Sequence, residues 1–507
     1  MRTYFNLVDL KVIHYYTGFV TLITAGLLVI PMITALLFSE WPMFVDLFLT
    51  LNVALMTALI FMSIGRKAKM AARIQWKHGL IISALSWFIL MMISALPYFL
   101  SGHYMSYLDA TFDVMSGFTT TGVTLSMDMD HMPMSLNMWR HIITFVGGQG
   151  MVVLALSFLF QQTHGAYKIY VGEAKDVELV PSVKGTARII WMISLAYLFV
   201  GTVALWINGM MIGLNPVNAF FHGMFIFASS WSTGGFAPMS QNMLFYHSFS
   251  YEIVTILFMI LGSFNFGLHY AILKGNRKEV YKNIEIQSFF VTLVGSGIFL
   301  TLWLKKDGLY SNVEMIFRKG IYHLLSAHTT TGFGSVYAKQ FASDWGDFGI
   351  LILIVVMLIG GSACSTAGGI KGLRVGILFK ALMAEIRKNL RSERRINIEK
   401  YHHIKDNVLD DATIKASAII TLCYIVLFTV GTAIGCFYGY PLIQSAFESA
   451  STAGNVGLSI GITNVAMPTG LKIYYIIAMY LGRLEFLSVF ALIGFMIGGV
   501  KTIWKRN

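Results

Sequence analysis

Nine nearly uncharged apolar runs, at about 17–38, 42–64, 80–100, 139–160, 189–207, 250–273, 287–304, 413–437 and 473–497, dominate this chain, and a tenth, from about 347 to 383, is interrupted. Each is long enough to cross a ~30 Å hydrocarbon core as a helix. With 56% apolar and only 12% charged residues over 507 positions, the chain has too little polar surface for a soluble fold of this size. The expected fold class is an all-α polytopic membrane protein. The first run is too long for a cleavable signal peptide and lacks a small-residue cleavage site, so it is expected to stay as a helix. Cys364, Cys423 and Cys436 lie in or beside apolar runs, with neither disulfide nor metal-ligand spacing, and read as core residues.

A net charge of +12 would point to nucleic acid in a soluble protein, but here its placement speaks of topology. Five Lys/Arg fall in 64–79, four in 164–188, four in 274–282, ten in 371–405 and three in the terminal KTIWKRN, whereas 101–137 and 208–249 hold none. Putting the basic segments in the cytoplasm sets both termini inside and requires ten crossings. The exception, 305–339, places Lys305, Lys306, Arg318, Lys319 and Lys339 outside, offset in part by Asp307, Glu314, Asp344 and Asp347.

Between the runs, four polar stretches share a register: SGFTTTGVT (Ser116–Thr124), SSWSTGGFA (Ser229–Ala237), SAHTTTGFG (Ser326–Gly334) and STAGNVGLS (Ser451–Ser459). Each has a serine six residues before a glycine, in the pairs Ser116/Gly122, Ser229/Gly235, Ser326/Gly332 and Ser451/Gly457, followed by an apolar and then a small residue. The glycines are 113, 97 and 125 residues apart, and each lies between two spans, so the unit is span, half-apolar segment, glycine motif, span. The half-apolar segments, such as 107–118 and 216–230, are too short to cross and suit re-entrant helices. The expected organisation is two extra N-terminal helices with their loop (1–79), then repeats over 80–163, 164–273, 274–411 and 412–507 around a central pore.

Irregular backbone at membrane depth must be buried in protein or line water, because unpaired peptide groups in lipid cost several kcal/mol each. Four copies therefore point to an axis where loop carbonyls replace the hydration shell of a cation, with glycine supplying the unusual dihedrals. The partly negative C-terminal ends of the short helices favour a cation over an anion. The candidate filter residues are Thr120, Thr121 and Gly122; Thr233, Gly234 and Gly235; Thr330, Thr331 and Gly332; and Asn455, Val456 and Gly457. Loops two and four offer a second glycine, Gly234 and Gly454, and register selects the later one in each. One such stretch alone could be a helix-packing contact or an outer turn; four in register with the spans argue for a filter.

FDVMSGFTTTGVT resembles the first pore loop of the Trk/Ktr/HKT superfamily of potassium transporters, and the likeness runs from about residue 80 to the C-terminus. The two additional N-terminal spans resemble the TrkH/TrkG branch. The resemblance implies one filter glycine per loop, carried here by Gly122, Gly235, Gly332 and Gly457, with potassium as the transported ion and no organic cofactor on this chain. Many sodium-selective plant relatives have serine in the first position, so Gly122 favours potassium; sodium or mixed cation transport is the alternative. It further implies a homodimer in the inner membrane of a prokaryote, resting on cytoplasmic nucleotide-binding, TrkA-like regulatory subunits.

The interrupted run breaks at IGGSACSTAGGIKG (359–372), where five glycines, two alanines and three small polar residues leave little to hold a helix in lipid. A phosphate-binding loop is excluded, since Ile370 separates the glycines from Lys371 and no strand precedes them. A helix–helix packing face is the competing structural alternative. The segment resembles the family's intramembrane gate, which would make Gly360, Gly361, Gly368, Gly369 and Lys371 gate residues beneath the third filter loop. Arg483 lies about ten residues into the last run, too deep to snorkel easily, at a cost of roughly 2.5–3.5 kcal/mol on insertion scales. It matches an arginine that in the family projects into the cavity below the filter, implying an electrostatic barrier; a buried ion pair orienting helices is the structural alternative. Glu485 is expected to join a helix-packing network, and Lys371 to lie near the cavity.

Asp113 and Glu448, in the re-entrant segments, are placed to attract cations at the outer mouth. YHHIKDNVLDD (401–411) has adjacent histidines in a charged loop and reads as a solvated face rather than a metal site. His164 and His328 are lone histidines without assigned chemistry. A membrane enzyme would need a convergent nucleophile or metal set, and an organic-anion carrier would aim helix N-termini and basic residues at its site; neither pattern is present.

Overall fold

The structure, a computed structural model, describes residues 7–66, 76–151, 153, 183–310, 312–390 and 399–504. Outside them lie the end of the run 139–160, His164, the last three residues, and parts of the basic segments 64–79, 164–188 and 371–405. Among the described residues, six helices are long and apolar enough to cross a membrane, or nine if each of three bent pairs counts as one span. The protein is an all-α polytopic membrane protein.

Two opening spans, α1 (Leu7–Leu27) with its continuation α2 (Val29–Leu37), and α3 (Trp41–Gly65), pack on each other. Glu40, in the turn between them, accepts hydrogen bonds from the backbone of Met134 (2.7 Å) and Ser135 (3.0 Å). That carboxylate caps the next inner span from outside its own chain segment, because the Pro133 N-cap supplies no side-chain acceptor.

Four units follow. In the first, α4 (Trp76–Ser94) and α5 (Leu96–Leu100) lead to the short helix α6 (Tyr107–Phe118) and the inner span α7 (Met134–Gln149). The second runs through α8 (Val183–Met211), α9 (Pro216–Trp231), α10 (Phe249–Ser263) and α11 (Phe266–Leu273), and then a turn of helix, α12 (Glu279–Lys282). The third contains α13 (Ile284–Lys306), a short helix with a π-helical stretch at Ile316–Ile321 that ends as α14 (Tyr322–His328), α15 (Ala338–Asp344), α16 (Gly346–Ile359) and α17 (Gly372–Asn389). A small antiparallel hairpin, β1 (Lys400–His403) and β2 (Lys405–Val408), precedes the fourth, made of α18 (Asp411–Phe437), α19 (Leu442–Ala453), α20 (Thr469–Arg483) and α21 (Leu487–Trp504).

Burial divides these helices by role. Long outer spans turn large apolar side chains outward, with Phe437 84% exposed, as a lipid-facing surface requires. The short helices α6, α9, α14 and α19 are buried toward their C-terminal ends, so the polar groups there must be satisfied by protein.

Two runs expected as single spans are bent. At 264–265 the axis turns by 99°, because Phe264 is extended and the Asn265 side chain accepts the Gly267 amide at 2.7 Å, starting a new helix. After Arg483 it turns by 114°, where Glu485 and Phe486 take left-handed backbone at φ 49° and 68°.

Candidate functional site

Each short helix ends with the same backbone hydrogen bonds. The amides of Thr121, Gly234, Thr331 and Val456 reach back to the carbonyls of Ser116, Ser229, Ser326 and Ser451 at 2.8–2.9 Å, and the preceding amides bond the carbonyls one residue later. This is the Schellman termination, which needs a left-handed residue just past the helix, usually glycine. Here that residue is Thr120, Thr233, Thr330 or Asn455, at φ 55°, 49°, 57° and 54°. The shared serine of the four motifs is thus the carbonyl that closes each helix.

Two residues further on stand Gly122, Gly235, Gly332 and Gly457, all at positive φ (88°, 67°, 84° and 93°). A Cβ on Gly122 would overlap the Gly234 carbonyl oxygen, one on Gly235 that of Thr331, one on Gly332 that of Val456 and one on Gly457 that of Thr121. Each glycine therefore abuts the backbone of the next loop in chain order, and the fourth abuts the first. The four loops close a ring that a side chain at any of these positions would break. Gly454, the competing glycine of the fourth loop, caps its helix at φ −81°, outside the ring.

The segment 360–371 lies directly against this ring. It is stitched at its neck by Ile370 N to Leu358 O and Lys371 N to Ile359 O, both 2.9 Å, and by Gly372 N to Gly361 O, 2.8 Å. Gly360 and Gly369 are left-handed and pack so closely that a Cβ on Gly360 would overlap the Gly368 carbonyl. At the tip, the Thr366 hydroxyl lies between two acceptors for its one proton, the carbonyls of Gly262 (2.8 Å) and Trp231 (3.0 Å), and meets Thr233 Oγ1 at 3.1 Å. Gly368 N donates to Thr330 Oγ1 at 2.8 Å, Thr120 Oγ1 lies 3.5 Å from the Thr366 carbonyl, and Gly368 abuts Gly454 and Asn455. The loop of one repeat thus touches the left-handed residue of all four. Gly361 packs on Ser263, and Lys371 turns its ammonium back onto the Ala367 carbonyl of its own loop.

Arg483 ends α20 half-buried beside this loop. Its guanidinium donates to the Thr366 carbonyl (2.5 Å) and to those of Gly147 (2.7 Å) and Gly148 (2.8 Å) in the last turn of α7. A cation at a helix C-terminus is electrostatically favoured. Glu485 pairs with Arg374 at the start of α17, so it does belong to a helix-joining contact.

The outer acids correct an expectation. Asp113 and Glu448 stand nine residues before Gly122 and Gly457, fully buried rather than facing the mouth. Asp113 accepts Tyr104 Oη (2.8 Å) and the Leu125 amide (2.9 Å), with Arg140 Nε 3.5 Å away. Glu448 accepts the amides of Ile460 (3.0 Å) and Ile462 (3.2 Å) and the Thr463 hydroxyl (2.7 Å). Both are spent on bracing the chain as it leaves the ring. His328 bonds Thr292 Oγ1 at 2.7 Å. His402 and His403 are not on a solvated face: they dock on the buried carboxylates of Glu279 (2.9 Å) and Glu285 (3.1 Å). No group of three or more His, Cys, Asp or Glu positioned for a metal occurs among the described residues.

Sequence reading missed Thr366, hidden in a run of small residues, and Arg140, which is fully buried with its guanidinium 4.2 Å from the ring of Phe236, the residue after Gly235. Arg140 is the second residue of an apolar run, where a charge can ordinarily reach the interface, so the sequence carried no signal of its burial.

The TrkH family model, described as a cation transport protein, matches residues 50–497. The chain is similar to an uncharacterized cation transporter of Methanocaldococcus jannaschii, 29% identical over 481 residues that cover 95% of this chain and 94% of the relative. It is also similar to the Trk system potassium uptake protein TrkG of Escherichia coli, 28% identical over 510 residues, covering 96% and 98%. A crystal structure of the potassium transporter TrkH from Vibrio parahaemolyticus matches with a TM-score of 0.80 at 24% identity, covering 95% of this chain and 98% of that one, a likeness of fold.

Proposed function

The chain belongs to the TrkH family of cation transport proteins, and from that premise we propose that it carries potassium through the glycine ring across the cytoplasmic membrane. The family is one of transporters rather than enzymes. The observation that carries the reading is the closed ring of Gly122, Gly235, Gly332 and Gly457, reached through four identical helix terminations. Because the Schellman bonds already satisfy the helix-end carbonyls, the oxygens of Thr120–Gly122, Thr330–Gly332 and Asn455–Gly457 are left to replace water around a dehydrated cation. In the second loop Gly234 O and Gly235 O, which accept the Phe236 amide and the Asn242 side chain, keep one lone pair each for the same purpose. The relatives named as Trk potassium uptake proteins favour potassium as that cation.

The loop 360–371 is the gate in this reading, since it seals against the residue just below each filter strand. Arg483 adds a positive charge on the ion's way out, raising the barrier while the loop is closed. The domain division follows: helices to 79, four pore repeats at 80–163, 164–273, 274–411 and 412–507, with the basic loops and both termini in the cytoplasm. The relatives' naming as parts of a Trk system supports association with further components; we assign these to a second copy of the chain and to nucleotide-binding regulatory subunits on the cytoplasmic side.

Growth of a bacterial strain stripped of its own potassium uptake, on limiting potassium and with this chain supplied, tests the proposal. Rescue that excess sodium does not suppress is expected. Failure to rescue with the protein present in the membrane, or uptake in which sodium competes equally, overturns it.

A further inference from the structure

Glu285 opens α13 with its side chain 1% exposed, where a carboxylate needs every oxygen occupied. One oxygen accepts the Ala363 amide of the intramembrane loop at 2.6 Å. The other faces His403 Nε2 of the β1–β2 hairpin at 3.1 Å and, more loosely, Asn265 Nδ2 at 3.5 Å in the bend between α10 and α11. Neither contact is local: His403 is 118 residues from Glu285 and Ala363 is 78.

The hairpin is fastened a second time, one residue away. Glu279 on α12, also buried, takes His402 Nε2 at 2.9 Å and the Ile404 amide at 2.9 Å on separate oxygens. Asn283 ties the two anchors together, donating to Glu279 at 3.0 Å and accepting the Glu285 amide at 2.9 Å. A two-stranded hairpin is marginal by itself, so these contacts decide where it sits. We propose that Glu285 is a positioning residue, a single carboxylate through which the docked hairpin fixes the intramembrane loop against the ring. The inference rests on reading that loop as the gate. Lifting the hairpin withdraws His403, leaves a buried carboxylate half-satisfied and loosens its hold on Ala363. Anything that pulls on this cytoplasmic hairpin is thereby coupled to the plug without touching it.

The test uses the full chain in lipid vesicles, comparing the parent with His403→Ala and with His403→Gln, whose amide restores a donor near the lost Nε2. Losing one hydrogen bond to a charged group shifts an equilibrium by roughly tenfold or more. Amide exchange of the 360–371 peptide in His403→Ala is expected to accelerate on that scale and potassium flux to rise with it. Exchange in 107–118 and the potassium/sodium ratio should stay at parent values, and His403→Gln should revert both effects. Faster exchange in the hairpin with an unchanged loop overturns the proposal, as does uniform acceleration through the pore helices, which marks a merely stabilising histidine. A looser loop with unaltered flux upholds the relay and sinks the gate reading instead.

Discussion

Thr120, Thr233 and Thr330 hold left-handed backbone that β-branched residues resist at a cost of roughly 1–2 kcal/mol each. Glycine would remove the cost and also the hydroxyls that engage the loop, so the strain stays where the contact is needed. Gly122 carries the opposite constraint. Gly122→Ser must hold a side chain at φ 88° against the Gly234 carbonyl, displacing an oxygen of the ring. The potassium/sodium uptake ratio should fall by at least about tenfold, the effect of losing ~1.4 kcal/mol of discrimination; an unchanged ratio in normally expressed protein removes Gly122 from the filter. Arg483 carries the barrier of the proposed function. Arg483→Gln should raise potassium flux per molecule, while Arg483→Lys, which keeps the charge but not the fork that reaches three carbonyls, should lie nearer the parent. Flux measured beside thermal stability in detergent checks this: a stable Arg483→Gln with equal or lower flux rejects the barrier.

At the scale of elements, the loop 360–371 depends on Thr366, where contacts from repeats one and two and Arg483 converge. Thr366→Val preserves the shape and deletes the donor to the Gly262 and Trp231 carbonyls. Flux should rise several-fold, in keeping with a lost hydrogen bond worth about 1 kcal/mol, and ion preference should hold, because loop and ring are separate elements. Altered selectivity in tracer competition would contradict that separation. The sequence made this loop legible through its glycines, and the ring through a register shared by four motifs. The bends at 264–265 and after Arg483 were not legible, since hydropathy reports that a segment avoids water and nothing about its direction. Asp113, Glu448 and Glu285 were misread or passed over for a related reason: a carboxylate's role depends on partners brought to it by the fold, and for Glu285 those partners lie far along the chain.

Across the whole molecule, the interruption of the third repeat is an enlarged form of something all four possess. Gly150, Ser263, Gly360 and Glu485 each stand 28 residues after the ring glycine of their own repeat, and at each the inner span ends or turns within a residue or two. The circle is fastened between first and last repeats by Lys472, whose ammonium meets Asp109 at 2.6 Å with both side chains buried. Lys472→Met strands that carboxylate and should cost about 3–5 kcal/mol, lowering the melting temperature in detergent, whereas Lys472→Met with Asp109→Leu should recover much of the loss. A melting temperature unmoved by the single change would mean the ring closes without this pair. The C-terminus of one broken span, α7, with its partial negative charge, also meets one guanidinium. Arg483 is bound there by carbonyl oxygens, the ligand type that a filter offers its cargo. It is a cation tethered by its own side chain, held by the same class of oxygen. The oxygens that hold it, those of Gly147, Gly148 and Thr366, are none of the ring's own, so on the proposed reading tether and cargo share no ligands and meet through their like charge alone.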